Sequence, residues 1–193
     1  MDKKLKFLQV ASSYLFTSKI LLEMMSFSNN NCIAIANIEI TEEELMRQTK
    51  YSDTNLMIPA LFNLYHGLEL IMKGMVLAHD GNIITEHKPE KLFNDLKEIE
   101  NEDAEYIFTI SKYMNKPISV NFINEYVVKE KIKDISQLYQ SLRYPSPIKL
   151  DVIYNYFDLS HRGKEIIPEI DEIIRDIDLI IKGTAKIYRE LGN

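Results

Sequence analysis

His66, Glu69 and Lys73 are the residues whose types and spacing come closest to a working constellation in this chain. Spaced by three and four on a helix, they fall within about 60° of one another on one face. An imidazole, a carboxylate and an ammonium in that arrangement can share protons, orient one another, or receive an anion. Phe62, Leu70 and Leu77 flank the row, on a segment with almost no water-facing side, where unpaired charge would be costly to bury. Two readings fit. In one, Glu69 and Lys73 pair in the favourable i, i+4 order and the row is a satisfied structural network. In the other, the row lines a cleft or a subunit interface. His87, in Thr85-Glu86-His87-Lys88-Pro89, either caps the helix that follows or reaches back to the row; alone it signifies little, and with Glu69 and Lys73 it would complete a polar site.

Other chemistries are excluded by pattern. None of the four histidines, His66, His79, His87 and His161, has the His-Glu-x-x-His spacing of a zinc hydrolase, so no metal site is expected. Six scattered glycines write neither Gly-x-Gly-x-x-Gly nor a Walker loop, which argues against nucleotide hydrolysis, and no cofactor is expected. Ser160-His161-Arg162 lies in no nucleophile elbow. Cys32, the single cysteine, cannot form an internal disulfide or a thiolate metal site, reads as a small buried apolar residue, and fits a reducing compartment, the cytoplasm. Tyr65 and Tyr144 are expected to be buried aromatics with hydrogen-bonded hydroxyls.

The elements that must position these residues are helical. Of 193 residues, 46% are apolar and 27% charged, the balance of a globular domain, and only six are Pro and six Gly, too few for a turn-rich sandwich or barrel. The net charge of −6 gives no global positive field, so any contact with RNA or nucleotide must be local. No run approaches the roughly 18 apolar residues of a membrane span, and the start of the chain lacks the apolar stretch of a signal peptide.

Apolar periodicity predicts a long helix over about 3–26, an irregular apolar connector over 32–40, and a short helix to about Lys50 behind the capping box Thr41-Glu42-Glu43-Glu44. A central helix, capped by Ser52 or Asp53, runs to Asp80 and is apolar nearly all round, hence buried. Shorter helices follow at about 89–99, 103–114, 119–130 and 135–142, the last stopped by Arg143-Tyr144-Pro145-Ser146-Pro147. The run from Glu98 to Glu105 reads as a solvated acidic link. A final amphipathic helix, about 168–191, should pack along the first and central helices. The expectation is one all-α domain over 1–193, an antiparallel bundle with two or three long helices and several short ones, with an N-terminal helix and connector over 1–50 and a core over 52–193.

Tyr65-His66-Gly67-Leu68-Glu69-Leu70-Ile71-Met72-Lys73-Gly74, then Asp80-Gly81 and Glu86-His87-Lys88-Pro89-Glu90-Lys91-Leu92-Phe93, resembles the core of HEPN domains, in which a Glu-x-x-x-Lys helix precedes a Gly loop and a His. Leu142-Arg143-Tyr144-Pro145 is similar to the Arg-Tyr-Pro turn of one bacterial branch. The likeness covers about 55–96 and, by a short motif, 140–147. It implies an all-α bundle, a homodimer, and a setting in bacterial defence, toxin–antitoxin or nucleotidyltransferase-linked systems, with a nucleotidyltransferase or antitoxin as partner. HEPN ribonucleases carry an Arg followed after four to six residues by His, and after Arg47, Arg143, Arg162, Arg175 and Arg189 no such His occurs. The reading from sequence is therefore a cytoplasmic, HEPN-like, non-catalytic module binding nucleotide, RNA or a protein through His66, Glu69, Lys73, His87, Arg143 and Tyr144. Lys73 and Arg143 would supply charge, and Glu69 would orient Lys73. The alternative is an atypical metal-independent endoribonuclease using His87 or His66 with Lys73 and Arg143.

Overall fold

The computed structural model describes residues 3–31, 40–80, 88–99, 104–147 and 153–191, and every regular element among them is helical. Cys32 and His87 lie outside the described residues, as do the stretch 33–39 of the apolar connector and the acidic stretch 100–103. The helices are α1 (Lys3–Phe27), α2 (Glu42–Thr49), α3 (Asp53–Asp80), α4 (Pro89–Ile99), α5 (Glu105–Met114), α6 (Asn121–Lys129), α7 (Ile135–Ser141) and α8 (Ile167–Leu191), with short 3-10 turns at Tyr156–Asp158 and Gly163–Ile166.

Three long helices form the frame. Ser18 Oγ donates to the Ala60 carbonyl at 2.8 Å near one end of the α1–α3 contact, and Leu8 meets Gly74 near the other, so the pair is antiparallel. Ala60, Gly67 and Gly74 recur every seven residues on the α3 face toward α1. A Cβ on Gly67 would come within 2.7 Å of Leu15 Cδ2 and 3.2 Å of the Leu15 backbone nitrogen, so the close approach requires glycine. Lys19 to Asp178 at 2.7 Å and Ser26 to Asp171 at 2.8 Å make α8 antiparallel to α1 as well. The final helix thus packs along α1 as expected. It also runs along α5, while its approach to α3 is slight, a departure from the expected contact with both long helices. Lys112 and Tyr113 of α5 converge on the buried Asp176 of α8, at 2.9 and 2.8 Å, filling that side with a satisfied polar cluster.

The caps show where local reasoning held and where tertiary contacts took over. Thr41 Oγ1 accepts from Glu44 N at 3.2 Å, the first half of the capping box, but the Glu44 carboxylate turns to Arg47 and Gln48. Neither Ser52 nor Asp53 caps α3 with its own side chain. Asn30, in the left-handed conformation (φ 45°) after α1, accepts from Asp53 N at 2.6 Å. The fully buried Asp53 carboxylate instead accepts from Asn30 Nδ2 at 3.0 Å, Arg162 N at 2.7 Å and Gly163 N at 3.3 Å, and Asn30 Nδ2 also donates to the Gly163 carbonyl. A knot of residues far apart in sequence therefore fixes the α1–α3 corner and the start of α8.

Candidate functional site

The row on α3 forms. Lys73 Nζ lies 2.7 Å from Glu69 Oε1, and the two residues are 6% and 5% exposed, a buried i, i+4 pair. Both are buried, and the exposed end of the row is His66, whose side chain keeps 26% of its exposure. Lys73 faces the interior with its ammonium on a carboxylate, the position of a structural counter-ion and not of a cation presented to solvent. His79 sits in the last turn of α3, away from this end of the helix.

His66 is held from several sides. Its Nδ1 is 2.5 Å from the Tyr139 hydroxyl and 3.7 Å from Glu69 Oε2. Tyr14 of α1 meets the ring edge-on at 4.4 Å, and Phe62, one turn earlier on α3, stacks on it at 5.8 Å with the planes 7° apart. Tyr139 continues the stack, 6.0 Å from His66 and 5.9 Å from Phe62. Burial, and secondarily the nearby Glu69 charge, push the Tyr139 phenol well above its ordinary pKa, so it is a neutral hydroxyl at physiological pH.

Arg143 extends this aromatic wall to the surface. Its guanidinium lies 5.5 Å from the Tyr139 ring centre and 5.2 Å from that of Tyr144, within cation–π range of both. Arg143 is exposed, and no carboxylate pairs with it among the described residues. Tyr144 is 54% exposed, which corrects the expectation of a buried ring; the proline turn carries it outward. Tyr65 is buried as expected, but its hydroxyl has no hydrogen-bond partner among the described residues.

Local sequence explains why the wall is rigid. Tyr139 and Arg143 are four residues apart on α7 and its terminal turn, hence on one face. Asp134 caps α7 through Gln137 N at 2.7 Å, while Glu90 of α4 accepts from the backbone nitrogens of Ile135 and Ser136. The Tyr156 hydroxyl donates to the carbonyls of Ser141 and Tyr144, at 2.5 and 3.2 Å, and Tyr154 N donates to the Pro145 carbonyl at 2.9 Å, so the Arg143-Tyr144-Pro145 turn is tied down on both sides.

No protein-family model, no curated protein and no solved structure matches the chain. The site is therefore read from its own geometry. Of the six residues singled out from sequence, His66, Glu69 and Lys73 are consecutive on α3, Arg143 and Tyr144 are joined to them through Tyr139, and His87 lies outside the described residues. Sequence reasoning set Phe62 beside the row without giving it a part in the site, and missed Tyr14 and Tyr139. The i, i+4 pairs Phe62/His66 and Tyr139/Arg143 were the available signal, since aromatic and titratable residues at that spacing share a helix face.

Ser160 and His161 also meet, Oγ to Nδ1 at 2.9 Å, but Ser160 Oγ donates to the Tyr156 carbonyl at 2.9 Å. Its proton is thus committed away from the imidazole, and the serine is not activated. No group of three or more metal-ligating side chains occurs among the described residues, and no described helix is long and apolar enough to cross a membrane.

Proposed function

We propose that this chain is a non-catalytic binding module that takes a nucleotide, or a nucleotide unit of single-stranded RNA, on the face formed by His66, Tyr139, Arg143 and Tyr144. The observation that carries the reading is the exposed Arg143 guanidinium, without a carboxylate partner among the described residues, lying against two tyrosine rings at the open end of an aromatic stack. Of the two rings only Tyr144 is exposed, Tyr139 being buried behind it; an exposed π-face accepts a base in any sequence context, and an adjacent guanidinium takes the phosphate in a bidentate fork. The local character of this cation suits a chain with a net charge of −6, which has no broad positive surface. Glu69 and Lys73 support the face from behind: the carboxylate sits between the ammonium and His66, and so fixes the ring without itself meeting ligand. The HEPN resemblance rests on residues at this same place, Glu69 and Lys73 with the Arg143-Tyr144-Pro145 turn, and the same proposal extends to a setting in bacterial defence or a nucleotidyltransferase-linked system.

Fluorescence anisotropy with a labelled single-stranded oligoribonucleotide and a labelled adenine nucleotide tests the proposal. Tyr144→Ala should weaken binding by about 1–3 kcal/mol, roughly five- to 150-fold, and Arg143→Ala should also reduce the salt dependence. Equal affinity in wild type and both variants would refute it. The same samples on a denaturing gel address the ribonuclease reading, which gains support if RNA is cut without metal and the cutting is lost in His66→Ala; intact RNA is the expected result.

A further inference from the structure

α6 ends in a way its sequence does not favour. Ile132 N donates to the Val127 carbonyl at 2.9 Å and Lys131 N to the Val128 carbonyl at 3.2 Å, the paired closure of a Schellman turn. The position that such a turn puts in the left-handed region is usually glycine, and here it is Lys131, at φ 54°. A lysine there carries backbone strain, and its exposed side chain returns no packing.

What the strained residue does is line a pocket. The pocket holds about 430 Å³ beside the ends of α5 and α6, a volume in the range of small-molecule sites. Pro117 and the buried Val127 and Ile132 give it apolar surface, with the exposed Val128 beside them. Its polar side chains offer donors only. Lys116 Nζ donates to the carbonyls of Ile132 and Lys133, at 2.7 and 3.0 Å, which fixes the ammonium in place and leaves one of its three protons for a ligand. Asn124 accepts from Ile118 N through Oδ1 at 3.2 Å, so its NH2 group is the end left to donate. No carboxylate pairs with Lys116 or Lys131 among the described residues. The acidic side chains next to them in sequence hold backbone amides: Glu130 accepts from Asn155 N at 3.1 Å and Asp134 from Gln137 N at 2.7 Å. Two positive charges thus share one pocket without a counter-charge, on a chain whose net charge is −6.

We infer that this pocket binds a small organic phosphate monoester, its phosphate on Lys116, Lys131 and the Asn124 amide and its apolar part on Pro117, Val127 and Ile132. A phosphate monoester carries a charge of about −1.5 to −2 at neutral pH, which answers both ammoniums, where a carboxylate answers one. Lysine suits this ligand, since an ammonium acts on phosphate as a point charge and needs no planar partner. The apolar surface adds a preference for an ester over the bare ion. The pocket lies before α7 and Arg143 lies after it, so the inference stands apart from the binding reading given above.

Amide NMR of the full chain titrated with n-butyl phosphate tests the site. The Asn124 side-chain NH2 and the backbone N–H groups of Lys131 and Ile132 should shift along one saturation curve. Inorganic phosphate, which lacks the butyl group, and pentanoate, which keeps it on a single charge, should each bind at least about threefold more weakly. Lys131→Gly should weaken butyl phosphate binding at least about threefold while the melting temperature stays level or rises, because glycine relieves the left-handed position. Lys116→Met should weaken binding as well. Arg143→Ala, and Lys6→Gln near the start of α1, should leave these shifts and their affinity unchanged. No shift at the three reporter groups, an affinity indifferent to both Lys131→Gly and Lys116→Met, or inorganic phosphate or pentanoate binding as tightly as butyl phosphate would overturn the inference.

Discussion

The buried pair Glu69–Lys73 offers a quantitative test of how the α3 row is held. With both side chains under about a tenth exposed and 2.7 Å apart, each charge is compensated by the other in a place water hardly reaches. Removing either side chain takes the nearest counter-charge from the other, at a cost of about 3–5 kcal/mol, whereas replacing both by apolar residues of similar volume is near neutral or stabilising. Lys73→Met and Glu69→Gln should therefore each lower stability by about 3 kcal/mol or more, and Glu69→Leu with Lys73→Met should lie within about 1 kcal/mol of wild type. In a domain of this size, about 2–4 °C of melting temperature follows each kcal/mol, so the single variants should melt roughly 6–20 °C lower. Urea titration of all four proteins at neutral pH, with slopes compared, gives the coupling energy. If the single variants lose less than about 1 kcal/mol, or the double variant loses the sum of both, the charges are solvated or independent and the description of a sealed pair is wrong.

Three further expectations follow from the packing. Asn30→Ala removes an acceptor for Asp53 N and two donated bonds at a left-handed position, and should cost about 2–4 kcal/mol in denaturant unfolding; a loss under about 0.5 kcal/mol would mean that the corner relaxes freely. Gly67→Ala places a methyl against Leu15 and its backbone, with an expected loss of about 1–3 kcal/mol, and an unchanged melting temperature would contradict the close α1–α3 approach. Burial raises the phenols of Tyr65, Tyr113 and Tyr139 above their ordinary range. A group whose folded pKa is raised contributes stability that is complete below its unfolded pKa and is lost as pH rises beyond it. Stability should thus fall above about pH 10, and absorbance at the tyrosinate band should show these rings ionising only with unfolding, not in a smooth titration of the native protein.

The helices were legible from sequence because their causes are local. The Pro89 start of α4 and the Thr41 cap of α2 lie within a turn of the residues they control, and the all-round apolarity of α3 reports its burial directly. The pairing of Glu69 with Lys73 was legible for the same reason. What escaped was set by distant chain. Asp53 looks like a cap and is instead the acceptor at a corner built with Asn30 and Gly163; Tyr144 looks like a core ring and is held outward by Tyr156, which belongs to a 3-10 turn that periodicity does not reveal. The site itself was half visible: its titratable residues stood out, while Tyr139, which joins His66 to Arg143, belongs to another helix and could be found only by folding the chain.

The Asp53 carboxylate has a consequence for how the protein is made. Two of its donors are the backbone nitrogens of Arg162 and Gly163, so when the ribosome has delivered only α1 to α7 that buried anion still lacks them and α1 still lacks its contact with α8. However early α1 and α3 pair, their shared corner gains its full set of hydrogen bonds only when the backbone leading into α8 has joined it.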